Sequence, residues 1–195
     1  MSGARRTRHL GVTLIEQIVF IVIVGLAVAG VMAAFVMSTR GSVDPMLQKQ
    51  ALAIAEAILE EVQLMPFTYC DPDDPQAAQA QTAAVGAAGC SAGGPETSGP
   101  EPAPFGPETR TSSTTPFDNV NDYHGYAMGP GISNIDGDAV GGLGAYSASV
   151  SVANQALGGV AAADSLLITV TVAGPATTTV RVQGYRTRFA PNALP

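Results

Sequence analysis

Tryptophan is absent from this chain of 195 residues, and charged residues make up only 13% of it. The sequence contains no Ser-His-Asp order with a supporting motif, no phosphate-binding loop, no cluster of metal ligands and no C-x-x-C pair. Each of these patterns sets reactive or ligating groups at the spacing that its chemistry requires. Their absence predicts a protein that is not an enzyme and that uses no metal and no cofactor.

Basic residues are also scarce, with 9 Lys and Arg against 16 Asp and Glu and a net charge of −7. Three of the arginines, Arg5, Arg6 and Arg8, lie at the extreme N-terminus. Nucleic acids are bound mainly through basic surfaces that neutralise phosphates. We therefore expect no nucleic-acid partner.

Charge is missing altogether from residues 18–37, which are 20 mostly apolar residues in succession. A helix of that length measures about 30 Å, the thickness of the hydrocarbon core of a bilayer. The three arginines and His9 precede this segment, and basic flanks stay on the cytoplasmic side of a membrane. The sequence predicts a helix that crosses a lipid bilayer once, with its N-terminus in the cytoplasm.

A single carboxylate stands at the start of the apolar segment, in the hexamer Gly11-Val12-Thr13-Leu14-Ile15-Glu16. Together with the basic leader, this order resembles the class III signal of type IV prepilins and pseudopilins. The resemblance implies that a prepilin peptidase cuts between Gly11 and Val12 and methylates the new amine of Val12. It also implies that Glu16 acts in assembly, through contacts with other pilin subunits at an inner-membrane assembly platform. Cleavage would leave six basic and 16 acidic residues, a net charge of −10.

Two other interpretations of the N-terminus remain open at this point. An ordinary secretory signal also joins a basic and an apolar region, and Ala27-Val28-Ala29 has the small residues of a cleavage site. The unbroken apolar run through Met37 and the presence of Glu16 argue against it. A plain membrane anchor with an incidental glutamate is the second alternative, since carboxylates occur near the ends of membrane spans.

The next segment predicts a second, amphipathic helix. Residues 40–43 should loosen the first helix, and Asp44-Pro45 has the form of an N-cap followed by proline at the first helical position. Apolar residues then recur every three or four positions and Pro66 ends the pattern, which predicts one buried stripe. Its members are Leu47, Ala51, Ile54, Ala55, Ile58, Val62 and Met65.

Cys70 and Cys90 are the only cysteines. Outside the cytoplasm an even cysteine count favours a disulfide, and closing a loop of this length stabilises a chain by about 3 kcal/mol. Two free thiols or an incomplete metal site are the alternatives, but no histidine lies near to complete a zinc set. We predict a Cys70–Cys90 disulfide.

Residues 71–116 are rich in Ala, Gly, Pro, Ser and Thr, which predicts a long loop with little buried surface. The following stretch holds Asp118, Asp122, Asp136 and Asp138 among asparagines and glycines. These residues suit turns, and they could also ligate calcium, although their spacing does not match an EF-hand. We favour turns.

Alternating apolar and polar residues predict three strands at 145–152, 167–172 and 178–189, with a Gly174-Pro175 turn between the last two. The expected fold is α+β, with a long N-terminal helix whose amphipathic half packs on a small antiparallel sheet. The predicted divisions are a leader at 1–11, an assembly helix at 12–40, an amphipathic helix at 41–66, the stapled loop at 67–116 and a loop plus sheet at 117–195.

Four later segments resemble an accessory pilin of the mannose-sensitive haemagglutinin pilus type: residues 44–46, 52–57, 117–126 and 184–188. The resemblance implies a structural minor pilin, anchored in the inner membrane with its head in the periplasm before it enters a pilus. A minor pseudopilin of type II secretion is the alternative within the superfamily. An anchored extracellular binding module that never polymerises is the alternative from another class.

Overall fold

The computed structural model describes residues 13–195, apart from the side chains of residues 38–44. It contains two compact units, one ending at Pro45 and the other spanning Met46–Pro195. Arg5, Arg6, Arg8, His9, Gly11 and Val12 lie outside the described residues. We call the second unit the head.

One helix, α1 (Leu14–Leu64), contributes residues to both units and includes Pro45 in its interior. The loosening expected at residues 40–43 was wrong, because the helical backbone continues through them. An interior proline removes one backbone hydrogen bond at a cost of about 3 kcal/mol. The helix formers in residues 46–57, among them Met, Leu, Gln, Lys and Ala, offset that cost. The N-cap expected at Asp44-Pro45 was wrong as well, because both residues lie inside the helix. The C-terminal end falls just before Pro66, as predicted.

The first unit consists of the N-terminal part of α1. Its segment Leu14–Met37 has a mean hydropathy of 2.9, and none of it is buried. By length and composition it is the one helix of the described residues that could cross a membrane. This agrees with the predicted span.

The head contains a four-stranded antiparallel sheet in the order β1-β2-β3-β4. Its strands are β1 (Ala127–Met128), β2 (Ser147–Asn154), β3 (Ser165–Ala173) and β4 (Thr179–Thr187). The three long strands match the three that alternation predicts. The short β1 was missed, since two residues are too few to show alternation.

The core lies between one face of the sheet and the C-terminal part of α1. Val150 of β2 pairs with Val170 of β3, which pairs with Val182 of β4, and all three contribute to one apolar cluster. The predicted stripe supplies the helical side, with Ala51, Ile54, Ala55, Ile58 and Val62 buried and Leu47 and Met65 partly buried. The predicted α+β class is therefore confirmed.

The turn between β3 and β4 forms at Gly174-Pro175, as predicted. The N–H of Gly174 donates to the carbonyl of Thr178 at 2.9 Å. A side chain at Gly174 could not fit, because an added Cβ would lie 2.5 Å from the ring of the buried Tyr146. The glycine thus allows the sheet end and the tyrosine to pack closely.

Residues 71–116 form a long loop, as expected, and it is more structured than its composition suggests. It contains a short 3-10 helix at Ala77–Gln79 and many turn hydrogen bonds. Further 3-10 helices lie at Val120–Tyr123 and Ala162–Asp164. The loop buries several acidic side chains, which give it a polar interior.

Candidate functional site

Glu16 lies in the first turn of α1 and is exposed. The carbonyl of Thr13 accepts hydrogen bonds from the N–H groups of Glu16 (3.1 Å) and Gln17 (3.2 Å), which starts the helix. A negative charge in the first helical turn interacts favourably with the helix dipole. Glu16 is therefore compatible with the helix end despite the apolar residues that follow it. The processing residues Gly11 and Val12 lie outside the described part of the chain, so their distance from Glu16 is not defined.

The segment Leu14–Met37 presents an apolar surface on every side. Leu14, Phe20, Leu26 and Met37 are all more than 60% exposed. A Cβ added at Gly25 or Gly30 would meet nothing within 4 Å. A continuous apolar surface of this size is unfavourable in water, and small residues allow close helix packing. The segment is thus suited to bury itself in lipid or among similar helices.

Cys70 and Cys90 form the predicted disulfide. Asp74 links the same two parts of the loop, because its Oδ2 accepts hydrogen bonds from both the N–H (2.8 Å) and the hydroxyl (2.9 Å) of Ser91. The two cysteine sulfurs and Asp74 also lie close enough to hold a metal. Since the sulfurs are bonded to each other, they are not thiolate ligands.

A bidentate ion pair joins α1 to the loop. The Nε and Nη2 of Arg110 each donate to Glu61 at 2.7 Å, and the Tyr123 hydroxyl donates to the same carboxylate at 2.8 Å. The Nη1 of Arg110 donates to the carbonyl of Asn134 at 2.8 Å. The hydrogen bonds to Glu61 raise the pKa of Arg110 above its ordinary value. The contact joins residues 49 positions apart and was not predicted from the sequence.

Six carboxyl groups gather beside this network, and we call them the acidic cluster: Asp71, Glu96, Glu101, Glu108, Asp118 and Asp122. They form overlapping sets of three whose ligating oxygens lie within 4.8 Å of one another. Among the described residues, neither Asp136 nor Asp138 belongs to any such set. The sequence predicted that these acidic residues form turns. This is confirmed for Asp122, which forms a capping box with Asn119. The sequence did not predict that Asp118 and Asp122 meet acids from the preceding loop.

Burial raises the pKa of most of these groups. The pKa of Asp122 rises to about 9, through burial and then through its hydrogen bond with Glu101. Burial likewise raises the pKa of Glu108 to about 8, of Asp118 to about 7 and of Asp71 to about 6. Burial and the charge of Asp122 raise the pKa of Glu96 well above its usual range. Full ionisation of the cluster at neutral pH is therefore unfavourable unless positive charge enters it.

Comparison of the chain with protein-family models, with curated proteins and with solved structures found no match in any of the three.

Proposed function

We propose that this protein is a structural minor pilin, processed by a prepilin peptidase and assembled through α1 into a type IV pilus of the mannose-sensitive haemagglutinin type. The observation that carries the proposal is the exposed apolar segment Leu14–Met37, whose one charged residue is Glu16 in its first turn. The same helix supplies the buried stripe of an α+β head. A plain anchor needs the apolar segment but has no need of the hexamer that ends at Glu16.

The proposed assembly chemistry pairs charges between neighbouring subunits. Cleavage after Gly11 leaves the amine of Val12 positively charged beside an apolar helix bundle. Glu16 of one subunit would neutralise the Val12 amine of the next, because two charges that are costly in an apolar medium become tolerable as a pair. A shift in register would leave one charge unpaired, so the pair would also fix the stagger between subunits.

The proposed location follows from the same segment. Before assembly, the apolar helix would hold the subunit in the inner membrane with the leader in the cytoplasm and the head in the periplasm. The disulfide fits an oxidising compartment. Lipid, other pilin subunits, the peptidase and the assembly platform are the proposed partners, and the role is structural rather than catalytic.

Intact-mass analysis of the protein purified from its native membrane tests the processing step. We expect a chain that begins at Val12 and carries one added methyl group. Material that still holds the arginine-bearing leader, or that begins after Ala29, would contradict the proposal.

Glu16→Ala tests the assembly step. We expect the variant to be cut after Gly11 like the parent chain but to be strongly depleted from filaments sheared off the cell surface. Gln17→Ala is the control, because it shortens the adjacent side chain and removes no charge. Normal recovery of Glu16→Ala in sheared filaments would refute the role of Glu16. Absence of the parent chain from those filaments would favour the alternative of a membrane-anchored extracellular binding module that does not polymerise.

A further inference from the structure

The acidic cluster brings carboxylate oxygens close enough together to share one cation. One oxygen from each of Glu96, Glu101 and Asp122 lies within 4.8 Å of the others. Calcium binds oxygens at about 2.3–2.6 Å, so two ligands on opposite sides of one ion are at most about 5 Å apart. Magnesium requires about 2.0–2.1 Å and a stricter octahedron, which gives a smaller maximum separation. The oxygens are therefore close enough together to share one ion, and calcium tolerates a less regular arrangement of ligands than magnesium does.

Several of these oxygens are buried without a hydrogen-bond partner. Asp122 is completely buried; its Oδ2 accepts from the N–H groups of Asp118 (2.9 Å) and Asn119 (2.7 Å), whereas no N–H or hydroxyl group donates to its Oδ1. Asp71 is 1% exposed, and its Oδ2 is likewise unpartnered. Both oxygens of Glu96 also lack a partner. A buried carboxylate oxygen without a partner is costly, and a bound cation removes that cost.

Within the described part of the chain, no basic side chain forms a salt bridge with the cluster. Arg110 is bound to Glu61. Arg188 has an electrostatic interaction with Glu96, but its guanidinium pairs with Asp164 at 3.1 Å and stacks over the ring of Phe67 at 4.0 Å. Any negative charge on the cluster thus has no basic side chain paired with it among the described residues.

Other contacts hold the ligands in place without using all of their oxygens. Glu101 Oε1 accepts from the N–H and the hydroxyl of Thr97, each at 2.9 Å. Glu108 Oε2 accepts from the N–H of Glu101 at 3.2 Å. These bonds hold the carboxyl groups close together, where they repel one another when ionised unless a cation lies between them.

We propose that the head binds a calcium ion through Glu96, Glu101 and Asp122, with Asp71, Glu108 and Asp118 supplying the surrounding negative charge. The ion would join the loop before Glu101 to the 3-10 helix at Val120–Tyr123. This inference differs from the sequence-based prediction of no metal, and it does not depend on the proposed pilin function.

The first experiment measures thermal unfolding of the full chain in detergent, with EDTA or with about 10 mM calcium. Sites in extracellular proteins bind calcium with a Kd of about 10⁻⁴–10⁻³ M. At a concentration about 100 times Kd, we expect a melting temperature roughly 5–10 °C higher than in EDTA. No increase with calcium, or an equal increase with the same concentration of magnesium, would overturn the assignment.

The second experiment locates the ion with Glu101→Gln and Asp122→Asn, which keep the shape of each side chain and remove its charge. Terbium, which replaces calcium and emits when a nearby tyrosine is excited, reports binding directly, and Tyr123 adjoins Asp122. We expect terbium emission from the parent chain and its displacement by calcium. Emission from either variant should fall at least tenfold.

Glu60→Gln is the matched control, because it removes one carboxylate from an exposed position on α1. It should leave both the melting shift and the terbium emission at parental levels. Unchanged emission from Asp122→Asn and Glu101→Gln would place the ion elsewhere and overturn the proposal. Circular dichroism of each variant in EDTA verifies that a loss of emission reflects a lost ligand rather than a lost fold.

Discussion

At the scale of single residues, the head depends on side chains whose environments differ sharply from water. Asp122 is the clearest case, since it is completely buried, caps a 3-10 helix with one oxygen and leaves the other unpartnered. Such a group stabilises the fold through its hydrogen bonds and destabilises it through its charge. Its net effect therefore depends on its protonation and on any bound cation.

This dependence predicts how stability varies with pH when divalent cations are removed. The pKa values of Asp71, Glu108, Asp118 and Asp122 rise to about 6, 8, 7 and 9 in the folded head. Unfolded carboxyl groups titrate near pH 4, so between about pH 4 and 9 the folded state binds more protons than the unfolded state. The free energy of unfolding should therefore fall as the pH rises through this range. Urea unfolding in EDTA at pH 5, 7 and 9 measures this change, and a rise in stability with pH would contradict it.

A second prediction at this scale concerns Gly174. An added methyl group would collide with Tyr146, which is 2% exposed and whose hydroxyl donates to Gln50 Oε1 at 2.7 Å. We expect Gly174→Ala to reduce stability by about 1–3 kcal/mol, the usual cost of overpacking. Gly144→Ala is the control, because an added Cβ there meets nothing within 4 Å. Equal unfolding midpoints for the two variants would show that Tyr146 moves aside at little cost.

At the scale of elements, the loop of residues 71–116 is attached to α1 and to the C-terminus by polar contacts. Arg110 binds Glu61 of α1, and the side-chain amide of Asn192 donates to the carbonyls of Ala77 (2.8 Å) and Ala80 (2.9 Å). A loop with few large apolar residues lacks the buried area to hold itself in place. These contacts and the disulfide compensate for that shortage.

Arg110→Ala should therefore be among the most damaging substitutions in the loop. It would leave Glu61 partly buried without its cation, and breaking a buried ion pair costs about 3–5 kcal/mol. Arg181→Ala removes an exposed arginine from β4 and should cost less than about 0.5 kcal/mol. Chemical denaturation of the full chain in detergent measures both values. A small effect of Arg110→Ala would mean that water replaces its contacts.

At the scale of the whole molecule, the chain combines a wholly exposed apolar segment with a head that buries its own core. The two units have different solvent requirements. The head buries an apolar core between its own sheet and helix, whereas the segment Leu14–Met37 requires lipid or other apolar helices. A protein of this kind is expected to fractionate with membranes or with an assembly that replaces them.

Leu26→Arg tests that expectation. Leu26 lies near the middle of the segment, where an arginine disfavours membrane insertion by about 2.5–3.5 kcal/mol. We expect the variant to shift from the membrane pellet toward the soluble or degraded fraction of the cell. Leu26→Ala keeps the position uncharged and should remain in the pellet. Full retention of Leu26→Arg in alkali-washed membranes would argue against a membrane-spanning role.

Features that depend on local periodicity and composition could be predicted from the residues alone. The apolar segment, the stripe from Ala51 to Val62, the three long strands and the Gly174-Pro175 turn all follow from residues close together in the chain. The disulfide followed from a cysteine count of two, which leaves a single pairing. The continuity of α1 through Pro45 was not predicted, because the breaker signal of residues 40–45 is local and the strong helix formers that follow it outweigh it.

The contacts between polar groups that are distant in the chain are visible only in the folded structure. Arg110 reaches Glu61 across 49 positions, and the acidic cluster gathers residues from Asp71 to Asp122. Acidic and basic side chains in loops carry no periodic pattern, so their partners depend on how the loop folds over the sheet and helix. The packing of the apolar core fixes the path of the loop. That path sets the burial of the acidic cluster, the pKa shifts of its carboxyl groups and the shape of the proposed calcium site.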